Sequence, residues 1–406
     1  MIPVERALEF TLALAAEKSM PDRMAAETVS LDRSLGRILR EDVCADSDYP
    51  PFDKAIRDGF AVRFEDVTNV PTELSIVGES RAGHRAIVTV SAGTCCEIMT
   101  GAPMPAGANA VVMVEHTERL AASHVRILRS VRAGEGQLRR AAELRSGERV
   151  LASGKRIELA DLGTLASFGK AEVRVSRKPR VAILATGDEL VEIASTPEPD
   201  QIRNSNTYTL QGQVLAAGAE PVVLGIGLDN REDLRTKIQQ GLEHDILLVS
   251  GGVSMGKYDF VEEVFSEFDV QVLFDSVAMK PGKPTVLGHR GETFVFGLPG
   301  NPVSTIVAFR MFVLPVIRSL LKAAEPPEEF LRACLEAPAK RDSARVAIVP
   351  ALVRFDGQSY RIRTAPWKGS SDLAGLSRAN AMIVIPKGDG MLQPGEWADF
   401  FKLESM

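Results

Sequence analysis

The chain is poor in the residues that most often announce chemistry. Only four of its 406 residues are cysteine and five are histidine. Cys44, Cys95, Cys96 and Cys334 form no C-x-x-C pair. Vicinal Cys95 and Cys96 therefore read as strand residues rather than a redox or zinc site, and reduced thiols of a cytoplasmic protein are expected. His84, His116, His124, His244 and His289 show no H-E-x-x-H or other paired spacing, which excludes zinc hydrolysis of that type. The G-x-x-x-x-G-K-[ST] and G-x-G-x-x-G nucleotide motifs and the G-x-S-x-G nucleophile elbow are all missing. Positive charge is in deficit, 48 Lys and Arg against 54 Asp and Glu for a net charge of −6, so no nucleic-acid partner is expected. No apolar run is read as reaching the roughly 18–20 residues that cross a membrane, so no membrane partner is expected either. Residues 1–20 alternate apolar Val4, Leu8 and Leu12 with Glu5, Glu9 and Glu17, an amphipathic helix and not a signal peptide.

What remains is an ordinary globular composition, 45% hydrophobic and 25% charged, in a chain long enough for two to four domains. Residues 1–45 open on a long helix, and helical periodicity returns after 143 (Ile157, Leu159, Leu162, Leu165, Phe168). Residues 1–45 and 141–175 thus form a discontinuous helical domain, interrupted by a β-rich insertion over 46–140 with short apolar runs and Gly/Pro turns. From 176 to 325, strands and helices alternate. Strands are expected at 181–184, 221–224, 246–249 and 294–296, and helices at 210–217, 231–242, 260–268 and 305–321. The fold class is therefore multidomain α/β, with a doubly wound central domain of parallel strands covered by helices on both faces. Residues 326–406 suggest a small C-terminal β-barrel.

Ligands of such a fold sit at the carboxyl ends of the strands, and the loops there carry most of the glycine. Ser250-Gly251-Gly252-Val253-Ser254-Met255-Gly256 follows an apolar strand, and its glycines let a ligand approach the backbone. Lys280-Pro281-Gly282-Lys283-Pro284 is a stiff loop with two fixed positive charges. Gly297-Leu298-Pro299-Gly300-Asn301-Pro302-Val303-Ser304 opens a helix, with Asn301 or a neighbour as cap and Pro302 in the first turn. Together they describe a site for a phosphorylated ligand. Asp188, Glu189, Asp229 and Asp259 all follow strands, so one sheet edge collects them. Hard oxygen ligands beside phosphates suit Mg²⁺.

Further strings lie outside that domain: 50–62, with Asp58-Gly59, and 99–110, with Thr100-Gly101. With residues 186–190, 202–206, 250–259, 280–284, 297–304 and Gly369-Ser370-Ser371-Asp372, the order resembles the molybdopterin molybdenumtransferases, the molybdenum insertases to which the C-terminal domain of gephyrin also belongs. The resemblance covers nearly the whole chain. It implies an enzyme that takes adenylyl-molybdopterin and molybdate, cleaves the phosphoanhydride, releases AMP and leaves molybdenum on the dithiolene. It implies cofactor contacts at Ser250, Gly251, Gly252, Ser254, Lys280, Lys283, Asn301, Pro302, Ser304 and Ser371, and Mg²⁺ at Asp188, Glu189, Asp229 and Asp259. Catalytic roles are implied for Asp58, Thr100, Glu189, Asp229, Asp259 and Glu143, the last standing where an arginine-rich motif (136–143) places an acid. A homodimer follows from the resemblance, with Asp58 and Thr100 reaching the other protomer's Ser250 loop. The upstream adenylyltransferase is an implied partner. Arg57 stands where the family has a small or apolar residue, and it is expected to lower the Asp58 pKa. Two alternatives use the same core: a molybdopterin adenylyltransferase, and a non-catalytic cofactor carrier or scaffold.

Overall fold

The computed structural model describes residues 1–19, 25–84, 87–252, 260–324 and 330–403, and the chain folds into two compact units. One comprises Met1–Arg40, Ser153–Glu158 and Glu172–Met406, the other Glu41–Ala152 and Leu159–Ala171.

The first unit is built on a six-stranded sheet whose strands are β1 (Arg180–Thr186), β2 (Glu220–Gly227), β3 (Ile246–Ser250), β4 (Gln271–Phe274), β5 (Val286–Arg290) and β6 (Thr293–Leu298). Their order is β2-β1-β3-β6-β5-β4. The four strands from β2 to β6 run parallel, as the alternation of strand and helix requires. The sheet is nevertheless mixed: β5 pairs antiparallel to β6, and β4 antiparallel to β5. Helices α1 (Asn206–Ala216), α2 (Arg231–Gly241), α3 (Phe260–Glu267) and α4 (Pro302–Leu320) connect or follow the strands.

Alternation along β1 explains why its sequence reads as a continuous apolar run. Val181 and Ile183 pack with Leu210 and Val214 of α1 and Val303 and Val307 of α4. Ala182 and Leu184 pack on the other face with Leu234 and Ile238 of α2 and Val264 and Phe265 of α3. Both faces are buried, so neither parity is polar. Each fully buried aliphatic or aromatic side chain contributes about 1.5–3 kcal/mol.

Helix α4 corrects one expectation. It is 19 residues long and apolar enough to cross a membrane by length and composition, but 83% of its 18-residue apolar stretch is buried inside the protein. Arg310 and Arg318 interrupt the run, which hides its length in the sequence. Its middle, Phe309–Val313, is π-helical, with Arg310 buried and its guanidinium 5.2 Å from the Phe401 ring.

The C-terminal strands Val346–Phe355, Tyr360–Thr364, Leu331–Leu335, Trp397–Lys402 and Ala381–Ile385 pair in that order, and the last pairs back onto the first. They close a five-stranded barrel around Leu335, Ile362, Ile383 and Phe400. Met279–Lys280 adds to it as a parallel edge.

Among the described residues, 1–45 and 141–175 hold one α-helix each, Val4–Lys18 and Leu159–Ser167. The rest of their regular structure is largely short strands. Ala26–Ser30 pairs with Glu172–Ser176, and Val43–Cys44 with Arg149–Leu151. Two- to five-residue strands carry too little alternation to stand out beside helical periodicity.

The second unit contains a six-stranded sheet ordered Ala110–Met113, Gly59–Val62, Thr94–Ile98, Thr72–Ser80, His124–Ile127, Thr117–Ala121. Cys95 and Cys96 lie in the third strand and, one residue apart, enter opposite cores. Burial pushes the Cys95 thiol up to about 12 and the Cys96 thiol up to about 11, as expected of inert structural residues.

Candidate active site

Parallel register brings four loops to one edge of the first unit's sheet. Thr186 of β1 lies beside Gly227 of β2, Ala185 beside Ser250 of β3, and Ser250 beside Leu298 of β6. The loops that follow line a cleft of about 660 Å³, with Thr186, Gly187, Glu189, Asn206, Asp229, Ser250, Gly251, Gly252, Gly300, Asn301, Pro302 and Ser371 among its walls.

The glycines are sterically required. Gly251 has φ +96°, and a Cβ there would lie 2.4 Å from the Thr186 carbonyl oxygen. Gly252 has φ +59°, and its Cβ would lie 2.7 Å from the Thr186 hydroxyl. The Gly251 N–H donates to Leu298 O at 3.0 Å, tying this turn to the end of β6.

Asn206 joins the same turns from the start of α1. Its Nδ2 donates to Ser250 Oγ at 2.9 Å and to Gly300 O at 2.8 Å. Capping of that helix start falls instead to the buried Asn204, whose Oδ1 accepts from Thr207 N at 3.2 Å. Sequence reasoning gave Asn206 no role. The available signal is that the run Arg203-Asn204-Ser205-Asn206 holds more amides than a single cap uses. Asn301, next to Gly300, occupies the N-cap of α4 without a side-chain capping bond. Pro302 is at N1, and Val303 N donates to Ser370 O at 3.0 Å, which brings the Ser371 loop to the cleft.

The acidic wall is close-set. Asp229 N donates to Asp188 Oδ1 at 3.0 Å. Desolvation, followed by the charges of Asp188 and then Glu189, pushes the Asp229 carboxyl above its ordinary range. Among the described residues no group of three or more His, Cys, Asp or Glu is placed to hold a metal ion by itself. Asp188 and Glu189 gathered beside Asp229 nevertheless suit Mg²⁺, which is commonly held by one or two carboxylates together with substrate phosphates. Asp259 and Ser254, expected at this site, lie outside the described residues.

The remaining expected residues are placed otherwise. Lys280 is exposed, its Nζ 3.3 Å from Asp342, and Asp342 is held down to about 2, first by Arg345. Lys283 is also exposed, and its carbonyl accepts from Val277 N and Thr285 N. Pro284, between Lys283 and Thr285, does line the cleft. Ser304 is 3% exposed, one turn into α4 and away from the cleft lining.

In the second unit, the strings 50–62 and 99–110 fold onto one another. Ala55 N donates to Ala102 O, Gly101 N to Ala55 O and Met104 N to Asp53 O. This brings Asp58 to Thr100, whose N–H donates to Asp58 Oδ1 at 2.6 Å. The Asp58 carboxyl is lowered by that bond and then by the Thr100 side chain, with no contribution from Arg57. The expected effect of Arg57 is therefore absent. Glu143 is exposed on a turn, its N–H donating to Tyr49 O at 3.0 Å.

Three family descriptions match the chain in succession. Residues 2–169 match the MoeA N-terminal region (domain I and II), 182–319 the probable molybdopterin binding domain, and 321–403 the MoeA C-terminal region (domain IV). A molybdopterin molybdenumtransferase of Staphylococcus epidermidis is 31% identical over 409 aligned positions, covering 99% of this chain and 97% of that protein. One from a Nostoc species is 36% identical, covering 91% and 87%. The crystal structure of a molybdopterin biosynthesis moeA protein from Pyrococcus horikoshii superposes with a TM-score of 0.83 at 29% identity, covering 99% of this chain and 100% of that one. The chain belongs to the molybdopterin molybdenumtransferase family.

Proposed function

We propose that this protein inserts molybdenum from molybdate into molybdopterin, cleaving adenylyl-molybdopterin and releasing AMP, as a Mg²⁺-dependent homodimer of the cytoplasm. The observation that carries the reading is the cleft at the strand ends, bare glycine backbone on one side and mutually repelling carboxylates on the other. Gly251 and Gly252 admit a phosphate to the main chain. Asn206 holds the Ser250 and Gly300 turns at a fixed separation, so the cradle is organised before the ligand arrives. Ser371 and Asn301 also line the cleft. Asp188, Glu189 and Asp229 are the residues that would hold Mg²⁺, which supplies charge stabilisation at the anhydride. Lys280 and Lys283 extend the positive field beyond the cleft and favour approach of an anionic substrate. In this reading Asp58 and Thr100 of one protomer serve the cleft of the other. Asp58, held ionised by the Thr100 amide, is then available as a fixed negative charge or base.

The test is AMP release from adenylyl-molybdopterin by the purified protein. Release that needs both molybdate and Mg²⁺ supports insertion. Release independent of either refutes it. Tight pterin binding without release would indicate a carrier, and consumption of ATP with molybdopterin as acceptor would indicate an adenylyltransferase.

A further inference from the structure

A second cavity, of about 390 Å³, lies in the first unit beside the strand-end cleft. Leu373 lines both, so the short helix Leu373–Leu376 is part of the partition between them. A volume of this size holds a small organic molecule. Its apolar walls come from three elements: Ile306 of α4, Leu376 of the short helix and Phe401 of the barrel. Gly212 of α1 opens onto it as well. Glycine is a poor residue inside a helix. At 212 neither a close approach nor a positive φ calls for it, since no atom lies within 4 Å of the Cβ it lacks. What the missing side chain leaves is room in the cavity. Two cations, Arg310 and Lys402, also line the space, and among the described residues no carboxylate does. Lys402 Nζ stands 3.4 Å from the neutral Tyr360 hydroxyl. Arg310 belongs to the π-helical turn of α4, a departure from α-helix that is frequent at functional sites.

We propose that this cavity is a second binding site, for a small molecule with an apolar body and one anionic group, separate from the cleft at the strand ends. The body packs on Ile306, Leu376 and Phe401 over the bare stretch of helix at Gly212. The anionic group turns toward Arg310 and Lys402, whose charges no lining carboxylate offsets. The same walls disfavour other classes of ligand. A cation meets like charge, and a sugar or polyphosphate would bury polar groups against apolar side chains without partners. The inference does not depend on the reaction carried out at the cleft.

The probe is 1-naphthoate, compared with its neutral isostere 1-naphthamide, each titrated into the purified protein by calorimetry. One 1-naphthoate per chain is expected to bind with a Kd of about 1 mM or tighter, the range its size allows. The amide should bind about 10-fold more weakly, because it lacks the charge. Gly212→Leu fills the cavity from a position with room for a side chain, and should weaken both compounds by about 10-fold. Lys402→Met keeps the length of the side chain and removes its charge. It should weaken 1-naphthoate by about 3-fold and leave 1-naphthamide unaltered. Inorganic pyrophosphate, an anion with no apolar body, should not displace 1-naphthoate. The inference is overturned by an absence of saturable binding to the unaltered protein, or by equal affinity for the two compounds. Wild-type affinity for 1-naphthoate in either variant overturns it too, as does displacement by pyrophosphate, which would place the probe in the cleft.

Discussion

Gly251→Ala probes the cradle without touching a charged group. A Cβ at this position would stand 2.4 Å from the Thr186 carbonyl, about 1 Å short of the 3.4 Å at which ordinary contact begins. Neither partner can yield cheaply, because Thr186 O is main chain at the end of a strand paired on both sides. The φ of +96° adds strain for any L side chain. Together these should destabilise by about 2–3 kcal/mol if the turn stays in place. The turn can instead relieve most of this by moving about 1 Å away from Thr186, toward the cleft. A displacement of that size at a positioning element lowers turnover by about 100-fold. The expected outcome is thus a kcat/KM for AMP release reduced by about two orders of magnitude. The accompanying fall in thermal midpoint should stay below about 10 °C. Gly212→Ala is the matched control. It lies within α1 with nothing within 4 Å of its would-be Cβ. It should gain about 0.5–1 kcal/mol and keep full activity. Wild-type turnover by Gly251→Ala would refute the argument that this backbone must stay bare.

Other outcomes follow from the same geometry. The folded protein binds a proton at Asp229 more tightly than an ordinary carboxyl of pKa 3.8, so its ionisation lowers stability as pH rises through and above that range. Asp229→Asn should therefore raise the thermal midpoint at pH 7.5 relative to the unaltered protein, and should abolish any rise produced by added Mg²⁺. A lower midpoint would contradict the repulsion described. Asp58→Ala should keep the fold, measured by circular dichroism, and lose AMP release. Co-expressed with Asp229→Asn, it should recover about a quarter of wild-type activity if sites are shared across a two-fold dimer, because half the molecules then carry one intact site. No recovery would place Asp58 in its own protomer's service. A thiol reagent at pH 8 should modify Cys44, which is exposed, and reach buried Cys95, Cys96 and Cys334 only on unfolding. Rapid reaction of more than one thiol in the native protein would contradict their burial.

The parallel half of the central sheet was legible because strands buried on both faces have no polar parity to break their apolar runs. The antiparallel edge was not. Val286–Arg290 ends in Gly288-His289-Arg290, and Gln271–Phe274 is only four residues long, so neither resembles a buried strand. The glycine turns could be read because positive φ and bare backbone leave a compositional trace. The ion pair of Lys280 with Asp342, 62 positions away, leaves no local trace in the sequence. The sequence leaves Asn301 open as a cap or a cofactor contact, and only geometry shows that its side chain makes no capping bond. The effect assigned to Arg57 failed for a similar reason. Adjacency in sequence does not bring a side chain to its neighbour's carboxylate, and the Thr100 amide, 42 positions away, does.

The hydrogen bond from Val303 to Ser370 sets an order of events during synthesis. The cleft is walled by residues from Ala185 to Leu373, so a ribosome that has delivered the entire α/β sheet has still not delivered the Ser371 loop. Val303 N, at the start of α4, receives its protein partner only from that loop. A nascent chain can fold its central sheet early, but it cannot present a complete binding surface until the barrel segment carrying Ser370 has emerged and docked. A product truncated before residue 370 would therefore lack the Ser371 wall of the cleft.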